Sequence, residues 1–80
     1  MNVYIKQQGF NCFYEANVKI RTSHRGNKIA TLENVKEVSR YEFYKHGSDE
    51  RFVLPTVKDG LEIHEIGSEF VKKLIEKECA

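Results

Sequence analysis

From Phe10 to Thr22 the apolar residues Phe10, Cys12, Tyr14, Ala16, Val18 and Ile20 fall on every even position, and Asn11, Phe13, Glu15, Asn17, Lys19 and Arg21 fill the odd ones. Alternation at period two predicts one long β-strand with a buried even face and a wet odd face. Phe13 alone breaks the rule. Asn2 to Gln7 alternates Val3 and Ile5 against Tyr4 and Lys6, a shorter strand that Gln8-Gly9 turns into the long one. Ser23 to Asn27 turns the chain again, with Gly26 free to take the positive φ of a tight connection, into a third strand from Lys28 to Leu32.

The next segment carries two conflicting signals. Leu32, Val35 and Val38 have helical spacing, whereas Tyr41 and Phe43 alternate with Arg40, Glu42 and Tyr44. The expectation is a bulge at Glu33-Asn34, then a strand from about Lys36 to Lys45 whose pattern is shifted by one residue. His46 to Glu50 reads as a polar turn, and Arg51 to Leu54 as a strand stopped by Pro55. Lys58-Asp59-Gly60 is a further turn, leading into Leu61 to Ile66, either a last short strand or the approach to a helix. Phe70, Val71, Leu74 and Ile75 then recur at three and four residues, with Lys72, Lys73, Glu76 and Lys77 opposite, which predicts a helix capped by Ser68. It is too short to hold alone and is expected across the apolar face of the sheet.

The expected fold is therefore α+β: an antiparallel β-meander of five or six strands, an open sheet or a small barrel, with one C-terminal α-helix packed on it. Eighty residues, 40% hydrophobic and 31% charged, suit a single domain over residues 1–80 with a small core and little room for an enclosed active site. Patterned sequence begins almost at Met1, so the chain reads as a whole small protein without a signal peptide. No apolar run approaches a membrane span, and no membrane partner is expected. Cys12 is read as a core thiol and Cys79 as a free one. Neither offers a disulfide framework or a zinc spacing, which suits a reducing, cytoplasmic setting.

Charge adds an asymmetry that the net +1 hides. Residues 1–30 hold five basic residues against Glu15, a net +4, while residues 31–80 hold eight basic and eleven acidic residues, a net −3. The wet face of the first two strands thus carries Tyr4, Lys6, Phe13, Lys19 and Arg21, with Arg25 and Lys28 at the hairpin tip. Aromatic rings interleaved with cations are what single-stranded nucleic acid binding uses, the rings stacking on bases and the charges tracking phosphates. The structural alternative is a cross-strand Tyr4–Phe13 pair, or a face covered by a loop or another subunit.

Candidate chemistry is sparse. The five glycines stand apart at predicted turns, and the three histidines, His24, His46 and His64, have no metal-ligand spacing, so neither a cofactor nor a metal is expected. Glu62 and His64 share a face if their segment is a strand, with Asp59 and Glu65 near, but no nucleophile accompanies them and an enzyme is the weakest class. The leading expectation is a non-catalytic interaction module that binds a protein partner, or a second copy of itself, through the outer face or an edge of its sheet. The alternative is single-stranded nucleic-acid binding by the same seven residues.

Overall fold

The computed structural model describes residues 2–47 and 50–79. Strand β1 spans Asn2–Gln7, β2 Phe13–Thr22 and β3 Lys28–Val38. Helix α1 spans Arg40–Lys45, strands β4 and β5 span Arg51–Leu54 and Glu62–His64, and helix α2 spans Glu69–Cys79. The strands form one sheet in the order β4-β1-β2-β3-β5, curled into a half-barrel. The α+β class and the C-terminal helix stand as expected, but the pure meander does not. β4 lies beside β1 and parallel to it. Parallel neighbours cannot be joined by a tight turn, and α1 lies on the crossover from β3 to β4.

β1 and β2 pair antiparallel with Tyr4 opposite Glu15 and Lys6 opposite Phe13. β2 begins at Phe13, not at Phe10: the turn closes through Gln7 N–H to Cys12 C=O at 3.1 Å and Phe10 N–H to Gln7 C=O at 3.2 Å. Phe10 is thereby lifted off the apolar face to 59% exposure, and Cys12 is half-buried instead of lying in the core. The Cys79 side chain lies outside the described residues, as do Ser48 and Asp49 of the 46–50 turn.

β3 is one continuous strand with a bulge where the pattern shifts. Glu15 pairs with Lys36 but Asn17 pairs with Glu33, so β3 holds one residue more than β2 at this point, and Asn34 takes a φ of 53°. The extra residue changes the side to which later side chains point. Leu32 and Val35, three apart, both pack on the α2 face, whereas Val38 packs on the other. The bulge frees the Val35 N–H from the ladder, and it donates instead to Asp59 Oδ1 at 3.2 Å. Asp59 is placed by a turn in which Leu61 N–H donates to Lys58 C=O at 3.2 Å and Gly60 takes a φ of 82°, a conformation strained for any residue with a Cβ.

The strand expected over Lys36 to Lys45 ends at Val38, and α1 follows it. Ser39 caps this helix, its Oγ accepting from the Glu42 N–H at 3.1 Å, with Glu42 in the first turn and Lys45 in the last. At the other end of the chain, Ser68 Oγ accepts from Val71 N–H at 3.3 Å and starts α2. Phe70, Val71 and Leu74 then bury against Val3, Ile5, Ala16, Val18, Ala30, Leu32, Phe52 and Leu54. Each large side chain so buried contributes about 1.5–3 kcal/mol relative to exposure, which is what holds a helix of this length in place.

Candidate functional site

The sheet's second face is divided. Over β1 and the start of β2, α1 lays Phe43 onto Tyr4 and Phe13, with Val38 beside them. Phe13 is only 4% exposed, its ring centroid 4.8 Å from Phe43 and 5.9 Å from Tyr44. Tyr4 is buried as well, its ring stacked on His46 at 3.7 Å and 15°. Neither ring is the exposed stacking platform that the alternation implied. The element that covers them was itself expected to be a strand.

The Tyr4 hydroxyl donates to Glu15 Oε2 at 2.9 Å, and Lys36 Nζ lies 3.1 Å from Glu15 Oε1. These two contacts hold the Glu15 carboxyl below its usual range, the lysine having the larger effect. Burial, and then the bond to Glu15, push the Tyr4 phenol above its usual range. Glu15 on β2 therefore ties the side chains of its two neighbouring strands, Tyr4 of β1 and Lys36 of β3, to one carboxylate.

The other half of this face is polar and largely neutralised. Arg21 meets Glu62 at 2.8 Å and Lys19 meets Glu33 at 3.6 Å. Lys28 Nζ donates to Thr22 Oγ1 at 2.8 Å, and Arg25 stands exposed at the hairpin tip. The seven residues picked from the alternation are thus dispersed: Tyr4 and Phe13 beneath α1, Lys19 and Arg21 in ion pairs at the far end of β2, Arg25 and Lys28 at the tip, and Lys6 at the opposite side of the sheet.

The acid/base candidates do share a face of β5, where Glu62 is held by Arg21 and His64 is exposed. They border a hollow of about 410 Å³ between the end of β4 and the approach to α2. Glu65 Oε1 accepts from the Lys28 N–H at 2.9 Å, and the Ser68 hydroxyl in the same hollow caps α2. Glu62, Glu65 and the Ser68 hydroxyl near His64 are thus engaged in structure. Among the described residues, no group of three His, Cys, Asp or Glu side chains is placed to hold a metal ion. No helix among them is long and apolar enough to cross a membrane.

Lys6 leads to a site that no single stretch of sequence contains. A groove of about 530 Å³ runs along the free side of β4, with Phe43 and Tyr44 of α1 on one wall and Glu69, Phe70 and Lys73 of α2 on the other. Lys6, Arg51, Phe52 and Val53 complete its lining. β4 is an edge strand. Gln8 N–H donates to Leu54 C=O at 2.8 Å, continuing the parallel ladder. Alternate residues of a parallel strand bond the same neighbour, so Phe52 and Leu54 serve β1, and the main-chain groups of Arg51 and Val53 point out of the sheet. Val53 is 60% exposed.

Arg51 lies against the α1 wall, its guanidinium carbon 5.2 Å from the Tyr44 ring centroid and 5.9 Å from that of Phe43. Its Nε is buried without a hydrogen-bond partner among the described residues. Arg40 approaches the Tyr44 ring at 6.0 Å, and a second open hollow adjoins there, lined by Arg40, Tyr41, Tyr44 and Lys45. Of these residues only Lys6 stood out in the sequence. Ser39 followed three residues later by Glu42 is the local trace of α1 in the sequence, a capping pair too slight by itself to set against the strand-like alternation of Tyr41 and Phe43.

Comparison with known proteins brings no relative: no family model matches the chain, and no curated protein and no solved structure compared with it matches either.

Proposed function

We propose that this chain is a small, non-catalytic cytoplasmic interaction module that receives an extended segment of a protein partner as an added strand along β4. The observation that carries this reading is the open β4 edge, with the exposed Val53 at its middle and a groove walled by two helices beside it. An unpaired strand edge is a template for another chain, and proteins that do not use one guard it with charge, brevity or a cover. β5, the other edge, is guarded in that way: it has three residues, and Glu62 and His64 flank its central Ile63. β4, of four residues, instead presents an exposed apolar side chain, that of Val53.

A second copy of the chain is the less favoured partner. Pairing β4 with β4 about a twofold axis would set two grooves of the same positive lining, each with Lys6, Arg51 and Lys73, beside one another. The single-stranded nucleic-acid reading rested on Tyr4 and Phe13 as stacking rings, and both are buried.

The experiment is a selection of random peptides displayed on phage against the folded chain, followed by ¹⁵N–¹H correlation spectra with a selected peptide. The reading expects shifts concentrated on Arg51 to Leu54. Val53→Pro removes an outward N–H while leaving the bonds to β1 in place, and Val53→Lys guards the edge by charge. Both should keep the circular dichroism of the parent and lose the peptide. Peptides that bind both variants as well as the parent would overturn the β4 assignment.

A further inference from the structure

Some cations of the sheet are matched by a neighbouring carboxylate, and those that line the groove are not. Lys19, Arg21 and Lys36 each have a carboxylate within 4 Å, at 3.6, 2.8 and 3.1 Å. Lys6, Arg51 and Lys73 line the groove and Arg40 stands next to it at Tyr44, yet none of the four forms an ion pair among the described residues. The one carboxylate in the lining is Glu69, 3.9 Å from Lys72. Among the described residues the groove is thus lined by three cations without an ion pair against one acid, beside aromatic walls and a strand edge, a lining that suits a negatively charged partner.

We infer that the segment received at β4 is acidic, an extended peptide with carboxylates at alternate positions. The inference rests on the strand-addition reading and names the partner's chemistry. In an added strand, successive side chains point to opposite faces. Those on the α1 side meet Arg51 and the Tyr44 ring, and guanidinium groups bind carboxylates through paired N–H donors. Those on the α2 side lie over Phe52 and Phe70, whose rings meet edge to face at 4.9 Å, and are uncharged. A peptide fits this edge better than a nucleic acid does. The outward groups of Arg51 and Val53 include carbonyl acceptors as well as N–H donors, and a phosphate backbone supplies acceptors only.

The test uses fluorescein-labelled short peptides of alternating Thr and Glu, Thr and Gln, or Thr and Lys, together with oligothymidylate. Fluorescence anisotropy is read on the full chain at about 50 mM and about 300 mM salt, which shortens the screening length about 2.4-fold. The Thr-Glu peptide should bind about tenfold or more tighter than the Thr-Gln peptide, the gain expected of charged over neutral hydrogen bonds. It should weaken at the higher salt, and the Thr-Lys peptide should not bind. Arg51→Gln should remove most of the preference for Glu over Gln. The exposed pair Arg40→Gln and Lys73→Gln, outside the sheet, should reduce it severalfold without touching the fold. Equal affinity for the three peptides, all lost with Val53→Pro, would overturn the acidic preference and leave strand addition standing. Thr-Glu binding that survives Val53→Pro would overturn strand addition itself. Tighter binding of oligothymidylate than of the Thr-Glu peptide would assign the groove to nucleic acid, and no binding by any probe would overturn both readings.

Discussion

The Phe13 ring of β2 lies 4.8 Å from the Phe43 ring of α1, tilted by 47°. That contact lies at the centre of the second, smaller core, and it decides what one face of the sheet can do. A ring so placed holds a helix down and cannot stack on a base.

Phe43→Ala should therefore cost about 3 kcal/mol, the low end for emptying an aromatic site in a core. Tyr41→Ala, on the exposed side of the same helix, should stay within about 0.5 kcal/mol. Urea unfolding followed by circular dichroism measures both. Equal costs would mean that α1 is not packed through Phe43.

The long strand gives a paired test of its two faces. Val18 is buried against α2's side of the sheet, while Lys19 is exposed and paired with Glu33. Val18→Asp should abolish folding by burying an unpaired charge. Lys19→Asp sets one carboxylate beside another at the surface and should cost less than about 1 kcal/mol. Soluble yield and thermal unfolding separate the two outcomes, and equal tolerance would contradict the assignment of faces.

Asp59 should matter through the bulge. Asp59→Ala leaves the Val35 N–H without its acceptor and should cost about 1 kcal/mol, whereas Asp59→Asn keeps a carbonyl oxygen in place and should recover most of it. The diagnostic readout is the hydrogen-exchange rate of the Val35 amide. It should rise in the alanine variant and not in the asparagine one.

The Tyr4–Glu15–Lys36 cluster sets a pH dependence with a definite sign. The Glu15 carboxyl lies below its usual range in the folded chain, so the unfolded state binds the proton more readily. The stability this contributes is present above the ordinary glutamate value and is lost as pH falls through the folded one. Tyr4 has the opposite sense: its phenol is raised, so its contribution is present below the ordinary tyrosine value and is lost as pH rises through the raised one. Unfolding free energies across the acid range should show a steeper decline in the parent than in Glu15→Gln. Identical acid limbs would contradict the carboxylate's place in the cluster.

How far the sequence carried the fold can be read from single residues. Val35 and Val38 after Leu32 break the period-two pattern, and that break is the bulge at Asn34. Ser68 and the spacing of Phe70, Val71 and Leu74 are local and marked α2 correctly. Helix α1 was missed because Tyr41 and Phe43, two apart, alternate like a strand. The Ser39 and Glu42 capping pair carries little weight in so short a segment unless tertiary contacts hold it. The parallel placement of β4 leaves no local trace, since Arg51 to Leu54 reads as a strand wherever it is laid. The burial of Tyr4 and Phe13 follows from α1, and the gathering of Lys6, Tyr44, Arg51 and Lys73 into one groove follows from α1 and the placement of β4 together, so neither was legible residue by residue.

If β4 pairs with a partner's segment, the outward amide of Val53 becomes a donor in the new ladder. Its hydrogen-exchange rate should be measured with and without a peptide selected on the folded chain. Exchange should be fast in the free chain and slowed at least about tenfold on binding, as an edge donor enters a ladder. Peptide bound with the Val53 amide still exchanging at its free rate would contradict that pairing.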